Sequence, residues 1–224
     1  MEKLVIKKDT PIRKKVYQHI REQILSGKIP PNEKLIEAKI AKEIGTSRTP
    51  VREALHNLEI ERLIKSVPSV GYTVNPLSEE DVAQICEIRA LIEGLAVRWA
   101  REKAYKKLVR ELSRNIAAAE KEVKNGNIKR FVALDAQFHE IIAKLSGSER
   151  LLELSQTLRR HMLRYRVQSI FLKDPAVRAI NGHKGILEAI QAGDKQKMNE
   201  AMSCHLEQSK IDTLRYMFEE NNNC

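Results

Sequence analysis

Four side chains in the second half of the sequence have the types and spacing of a metal site. Asp135 and His139 stand four positions apart in an apolar helical pattern, so both lie on one face of a helix. His183 and His205 each lie beside apolar residues that would turn them inward. One carboxylate and three imidazoles from three helices can meet in a bundle core and bind zinc, nickel, manganese or iron. Taken singly, an inward histidine is more often a hydrogen-bonded core residue than a metal ligand.

A second group of side chains, nearer the N-terminus, has the chemistry needed to read DNA. Arg48 and Arg52 are four positions apart and share a helical face. A guanidinium group can donate to O6 and N7 of guanine, while Ser47, Thr49 and the N–H groups at a helix start can hold phosphates. The alternative for such a pair is a solvated helix face with two ordinary arginines.

Other arginines are candidates for binding an anion. Arg89 is the one cation on an otherwise apolar helix face, and its simplest role is a salt bridge with Glu93 one turn later. A further cluster can face a cavity, but such a density of cations is more typical of a solvated helix face. We therefore leave the cluster out of the predicted site: Arg159, Arg160, Arg164 and Arg166.

The DNA-reading residues need a scaffold, and the first third of the chain predicts one. Apolar spacing predicts helices over 11–26 and 35–44, ended by Gly27 and Gly45. A third, short helix is expected to follow a hydroxyl N-cap at Thr46-Ser47.

After the third helix the pattern changes to that of a wing. Two short β-prone runs between Leu63 and Val74 predict a hairpin, and Pro76 with Ser78 marks a domain boundary. Residues 1–76 hold 15 basic and 9 acidic side chains, a surplus that favours binding to a polyanion. We expect them to form a winged helix-turn-helix.

The rest of the chain, residues 77–224, predicts helices alone. They are expected over 79–103, 106–125, 128–146, 149–172, 177–192 and 195–220. The predicted fold is therefore mainly α, with an N-terminal winged helix-turn-helix and a C-terminal all-helical bundle.

Composition narrows the class of protein. The chain is 42 % hydrophobic and 31 % charged, as in a folded globular protein, and its net charge is +10. It shows neither a signal peptide nor an apolar run long enough to span a membrane. Three cysteines without CxxC spacing fit free thiols in a reducing compartment, so we expect a cytoplasmic protein without a membrane partner.

The run Ser47–Leu55, SRTPVREAL, is the most specific feature of the first domain. With its surroundings, residues 11–76, it strongly resembles the winged helix-turn-helix of the GntR family of transcription regulators. The resemblance implies that the partner is double-stranded operator DNA. It also implies that Arg48 reads a base, that Arg52 contacts a base or the backbone, and that Ser47 and Thr49 touch phosphate.

Two positions near the wing depart from the family pattern. The usual Glu-Gly-Leu before the wing is Glu61-Arg62-Leu63 here, and Val70 stands where a basic or polar residue is common. The expected DNA contacts are therefore those of the helix rather than those of the wing.

The second domain carries three strings that share a likeness: Leu134-Asp135-x-x-Phe138-His139, His183-x-x-Ile186 and Ala201-Met202-x-x-His205. They are similar to the FCD ligand-binding domain of FadR-type GntR regulators, from about 77 to 220. All four metal positions of that pattern are filled, which implies a divalent ion, zinc first, with nickel, manganese or iron as alternatives.

The same resemblance implies an effector and a mode of action. In that family the arginine matching Arg89 lines the cavity and pairs with a carboxylate of the effector. We therefore expect a small organic acid as effector, and a homodimer that binds a pseudo-palindromic operator. The expected action is repression, with release of the DNA when the effector binds.

Three other functions are weighed against this interpretation. A metal-dependent hydrolase would need a positioned general base or acid, which no motif supplies, so we predict that the protein is not an enzyme. In a metal-responsive regulator, the ion itself would be the signal. In a purely structural site, removing the metal would unfold the domain and no small molecule would stabilise it.

Overall fold

The computed structural model describes residues 11–68, 70–76, 78–166 and 172–219. The chain divides between Leu77 and Ser78 into two compact units. Helices dominate both units, and the described strands all belong to the first. The mainly helical fold class predicted from the sequence is confirmed.

The first unit combines three helices with a small antiparallel sheet. Its helices are α1 (Ile12–Leu25), α2 (Glu37–Ile44) and α3 (Arg48–Ile60). Its strands are β1 (Lys34–Leu35), β2 (Ile64–Val67) and β3 (Gly71–Val74), in the order β1-β3-β2. The hairpin of β2 and β3 is the predicted wing, so the winged helix-turn-helix is confirmed.

The core of this unit lies between α1 and α3. The apolar face predicted for α3 is fully buried, and Val16 and Ile20 of α1 belong to the same cluster. That face consists of Val51, Ala54, Leu55 and Leu58. Burial on one side leaves the opposite side of α3 to carry the polar residues of the DNA-reading motif.

The predicted start of α2 at Leu35 is wrong. Lys34 and Leu35 form strand β1, opposite Thr73 and Tyr72 of β3, and the helix begins only at Glu37. Leu35 is buried, so its apolar side chain serves the sheet rather than a helix face.

The turn between α2 and α3 is set by backbone conformation. Gly45 ends α2 in the left-handed region, at φ 75°, as its position predicted. Ser47 is the N-cap of α3, but among the described residues its side chain makes no capping hydrogen bond. The predicted cap is therefore right in position and wrong in bonding.

Arg62 occupies a left-handed position between α3 and β2, with φ 56°. This is the position at which the resembling family has glycine. An L-residue with a Cβ is disfavoured there by about 1–2 kcal/mol.

The second unit is built of helices. They are α4 (Glu79–Lys124), α5 (Ile128–Leu145), α6 (Glu149–Arg166), α7 (Lys173–Ala192) and α8 (Lys195–Leu214). A π-helical turn, Arg215–Glu219, follows α8. Ser78 caps α4 as predicted, since its hydroxyl accepts from the N–H of Asp81 at 3.2 Å.

The long α4 forms one wall of the apolar core. Leu108 and Leu112 of α4, Phe138 of α5, Ile186 of α7 and Met202 of α8 are all fully buried in one cluster. This core lies around the histidines discussed below, because α5, α7 and α8 each contribute both apolar and imidazole side chains to the interior.

The predicted break between 103 and 106 is a kink rather than a loop. Helix α4 runs through it, with non-helical dihedrals at Ala104 alone (φ −146°, ψ 35°). One distorted residue kinks the helix between the two predicted segments.

Two later boundaries also differ from prediction. Helix α7 begins at Lys173 rather than 177, because Pro175 lies in its first turn, where a missing N–H is tolerated. Helix α6 follows the predicted range 149–172 as far as Arg166, and residues 167–171 of that prediction lie outside the described part of the chain. The helix predicted to reach 220 changes to the π turn after Leu214.

Candidate DNA-reading surface and candidate metal centre

The four residues predicted to contact DNA lie together at the start of α3. Ser47, Arg48, Thr49 and Arg52 are all exposed. The side chains of Arg48 and Arg52 are 64 % and 62 % exposed. A helix N-terminus with exposed N–H groups, hydroxyls and two guanidinium groups can bind phosphates and base edges.

Glu37 at the start of α2 holds both arginines. Arg52 donates from Nε to Oε1 and from Nη2 to Oε2, each at 2.9 Å, and Arg48 donates from Nη2 to Oε2 at 3.4 Å. The hydrogen bond from Arg52 lowers the pKa of Glu37 and outweighs the opposing effect of burial. Sequence reasoning gave Glu37 no role, although it lies within residues 11–76, which carry the family resemblance.

Three imidazoles meet in the interior of the second unit. One ring nitrogen of each of His139, His183 and His205 lies within 4.8 Å of the others, and all three residues are buried. The Nε2 atoms of His139 and His205 are 3.3 Å apart. Asp135 joins them, with Oδ1 3.7 Å from Nε2 of His183. The structure therefore brings together all four residues predicted to bind a metal.

Three different helices supply these ligands. Asp135 and His139 lie one turn apart on α5, His183 lies on α7 and His205 on α8. Phe138 stacks on His183, with ring centroids 3.7 Å apart and planes within 7°. This stacking fixes the plane of one imidazole through apolar contact.

Gly182 fixes the position of another imidazole. A Cβ built on Gly182 would lie 2.5 Å from Nδ1 and 3.1 Å from Cγ of His205. The ring therefore fills the space that any side chain at position 182 would take.

A buried chain of polar contacts orients His139. Oε2 of Glu93 lies 2.6 Å from Nδ1 of His139, and Oε1 accepts from Nε of Arg89 at 2.8 Å. Burial acts to raise the pKa of Glu93, but the charge of Arg89 and the hydrogen bonds from His139 and Arg89 outweigh it and hold the pKa well below its usual value. An ionised carboxylate can only accept, so Nδ1 of His139 carries the proton and Nε2 presents a lone pair to the cluster.

Arg89, predicted to bind the effector, thus forms the salt bridge that the sequence alone favoured. It is 1 % exposed, and its partner Glu93 is the functional residue that sequence reasoning left outside the site. The signal for Glu93 was its i, i+4 spacing from Arg89.

The donor set fits a divalent metal ion. Burial, and then the neighbouring His183 and His139, lower the pKa of His205 well below its usual value, so its ring is neutral and can ligate. Neutral imidazoles, a carboxylate, and a second carboxylate behind one imidazole are the typical arrangement around zinc and related ions.

Arg159 does not lie on a solvated helix face, so that prediction is wrong for this residue. Its side chain is only 18 % exposed, and Nη1 donates to the carbonyl oxygen of Ala136 at 2.6 Å. Arg160 is exposed, as predicted. The side chains of Arg164 and Arg166 lie outside the described residues.

Two protein families match the chain, one for each unit. The family described as bacterial regulatory proteins, gntR family, matches residues 12–74, and the FCD domain family matches residues 84–208. Both are families of transcription regulators rather than of enzymes. No helix in the described part of the chain is long and apolar enough to cross a membrane.

The chain is also similar over most of its length to individual proteins. It is 26 % identical to the uncharacterized HTH-type transcriptional regulator YdhC of Bacillus subtilis (strain 168), covering 98 % of each chain. It is 29 % identical to a probable D-xylose utilization operon transcriptional repressor of Paenarthrobacter nicotinovorans, covering 88 % of this chain and 86 % of that one. The solved structure of McbR/YncC from E. coli shares the fold, with a TM-score of 0.70, 23 % identity, and coverage of 92 % and 99 %.

Proposed function

The chain belongs to the GntR family of DNA-binding transcription regulators and carries an FCD domain, and on this premise we propose that it is a repressor controlled by a small organic acid. The acid would bind beside a divalent metal ion in the FCD domain. Repression is proposed by analogy with the similar probable D-xylose utilization operon transcriptional repressor of Paenarthrobacter nicotinovorans.

The proposed DNA binding rests on the residues at the start of α3. Arg48 and Arg52 are exposed and one turn apart, and Ser47 and Thr49 flank them with hydroxyls. This set combines base-reading and phosphate-binding groups, as expected for a recognition helix in the major groove. A homodimer would place two such helices on the half-sites of a pseudo-palindrome.

The main observation that supports effector sensing is the convergence of four buried residues: Asp135, His139, His183 and His205. These residues would hold the ion, and zinc is the first candidate for three nitrogens and one carboxylate, with nickel, manganese or iron as alternatives. When bound, the ion would supply a Lewis acid that attracts a carboxylate oxygen.

Arg89 and Glu93 support the same site from behind. Their ion pair is buried, and Glu93 accepts the proton-bearing Nδ1 of His139. The sequence resemblance assigns Arg89 to the effector carboxylate, and Arg89 is linked to His139 through Glu93.

The test is a thermal-shift screen of carboxylic acids on metal-loaded and chelator-stripped protein. A ligand that binds only the folded state raises its stability by mass action. We expect at least one acid to stabilise only the loaded form and then to weaken binding to operator DNA selected by the protein. A coupling of about 1–3 kcal/mol gives roughly a 5- to 150-fold loss of affinity.

The same screen separates the competing functions. If DNA affinity follows metal occupancy and no acid changes it, the ion itself is the signal. If metal removal unfolds the domain and no acid stabilises it, the metal is structural.

A further inference from the structure

Helix α6 places a second, mostly buried arginine against α5, the helix that carries Asp135 and His139 of the candidate metal centre. Arg159 extends from α6 to α5, where Nη1 donates to the carbonyl oxygen of Ala136, the residue after Asp135. Its Nη2 lies 4.0 Å from Glu140. The guanidinium group is thus anchored beside α5, one residue along the chain from a proposed metal ligand.

One donor of this guanidinium remains unused. Nε of Arg159 is buried and has no hydrogen-bond partner among the residues that the structure describes. Ser155, one turn earlier on α6, is 1 % exposed, and its hydroxyl oxygen likewise has no partner within the described chain. Buried polar groups are nearly always hydrogen-bonded, so two on one helix face call for a ligand.

The charges that act on Arg159 include those of residues in and around the candidate metal centre. Burial lowers the pKa of Arg159, while the charge of Glu93 acts to raise it and that of Arg89 to lower it. Asp135 acts on it as well. The charges of Glu93, Arg89 and Asp135 therefore act on a guanidinium group that the Ala136 carbonyl anchors on α5, next to Asp135 in the chain.

We propose that Arg159, rather than Arg89, donates to a carboxylate of the effector through Nε, and that the Ser155 hydroxyl is a second donor. Arg89 then acts as a positioning residue that holds Glu93 against His139. This inference rests on the proposed function, because it assumes that an organic acid is sensed.

The charges of the site indicate which acids fit. The formal charges of Arg89 and Glu93 cancel, as do those of Asp135 and Arg159. A divalent ion would leave two uncompensated positive charges in a buried site, where unpaired charge is unfavourable. The effector class is therefore the mono- and dicarboxylic acids. A hydroxyl group on such an acid is well suited to hydrogen-bond with the Ser155 hydroxyl, which can both donate and accept.

The chain offers a matched pair of variants for the test. Arg159→Met removes the buried cation, and Arg160→Met makes the same change of charge one residue later on the exposed side of α6. Arg159→Lys keeps the charge without a donor at the Nε position. Zinc-loaded, full-length protein is titrated by calorimetry with acetate, succinate, malate and sugar acids, and with inorganic phosphate as a non-carboxylate anion.

We expect wild type and Arg160→Met to bind at least one acid equally, and Arg159→Met to bind it about 10- to 100-fold more weakly, as for loss of a charged hydrogen bond. Zinc content should be the same in all variants. If Arg159→Met is too unstable to titrate, the comparison is made with Arg159→Lys, which should retain only part of the affinity.

The outcomes distinguish this inference from the function on which it rests. If both Arg159 variants bind the acid as wild type does, Arg159 is not the receiving cation and sensing of an acid stands. If wild type binds none of the acids, the proposed effector class fails and this inference fails with it. Binding of phosphate but no carboxylate overturns the chemistry assigned to the ligand.

Discussion

Arg52 is held by Glu37 through one edge of its guanidinium group, with Nε and Nη2 each 2.9 Å from a carboxylate oxygen. This edge contact leaves the end of the guanidinium, Nη1 and the second hydrogen of Nη2, available for another acceptor. The end is the part that can pair with O6 and N7 of a guanine. Glu37 therefore orders the side chain that we propose reads DNA, without occupying all of its donors.

Glu37→Gln should reduce sequence discrimination. An amide offers one acceptor and one competing donor, so Arg52 loses its bidentate partner, and one negative charge near the phosphates is removed. We expect the ratio of operator affinity to random-DNA affinity to fall by about tenfold, or roughly 1.4 kcal/mol, while binding to random DNA strengthens.

Fluorescence anisotropy on both duplexes at one salt concentration measures this ratio. Glu43→Gln, at an exposed position on the same helix, makes the same change of charge and is the control. An equal shift of both variants would mean that only net charge matters and that Glu37 does not order Arg52.

Arg48→Ala tests direct reading by the neighbouring arginine. Arg48 has only a long contact with Glu37, at 3.4 Å, so its side chain is less restrained than that of Arg52. Loss of a bidentate base contact should weaken operator binding by about 1–3 kcal/mol and random DNA by much less. Equal losses on the two duplexes, measured by the same anisotropy assay, would reduce Arg48 to a phosphate contact.

The sequence located the candidate site better than it located its supports. Periodicity placed Asp135 and His139 on one face, and the resemblance named the four residues that the structure brings together. The sequence did not reveal the burial of Arg159, because a dense cluster of arginines obscures the apolar face of α6. The burial of Arg159 also depends on a contact with the carbonyl oxygen of Ala136 on another helix. Long-range contacts of this kind have no local signal in a single sequence.

The same contrast holds for the fold. Gly45 and Ser78 marked helix ends correctly, because glycine in a left-handed turn and a serine N-cap are local devices. Strand β1 was missed, since two residues carry no periodicity and Leu35 is defined as a strand only by its partner Tyr72.

Arg62→Gly should stabilise the winged domain. Arg62 has φ 56°, where a Cβ is disfavoured by about 1–2 kcal/mol, whereas glycine is not. Glycine also gives the unfolded chain more conformational freedom, and this offsets about 0.5–1 kcal/mol of the stability gained by removing the Cβ. We expect the free energy of unfolding, measured by thermal unfolding, to rise by about 0.5–1 kcal/mol in Arg62→Gly. It should not rise in Arg62→Ala, which keeps the Cβ. A loss of stability in Arg62→Gly would mean that contacts of the arginine side chain outweigh its backbone strain.

Glu93→Gln should weaken metal binding without touching a ligand. Glu93 accepts from Arg89 and from Nδ1 of His139, and loss of such a carboxylate behind a ligating histidine typically lowers metal affinity by about 10- to 100-fold. Competition with a chromophoric chelator at a temperature where the variant is folded measures this affinity. Glu188→Gln, at an exposed position on α7, is the control and should bind zinc as wild type does. Equal affinity in the two variants would show that Glu93 serves only to neutralise Arg89.

Two glycines of α7 allow a test of the metal centre that removes no charge and no ligand. A Cβ at Gly182 would lie 2.5 Å from Nδ1 of His205, whereas a Cβ at Gly185 would meet nothing within 4 Å. Gly182→Ala must therefore displace the imidazole of His205, while Gly185→Ala leaves every neighbour in place. Both changes favour the helix by up to about 1 kcal/mol.

We expect zinc affinity to fall roughly tenfold or more in Gly182→Ala and to be unchanged in Gly185→Ala, since metal sites tolerate little displacement of their ligands. Zinc content after dialysis and chelator competition measure the difference, and circular dichroism checks that both variants stay helical. If both bind zinc like wild type, His205 is a core residue rather than a ligand, because its ring could then be moved without consequence for the ion.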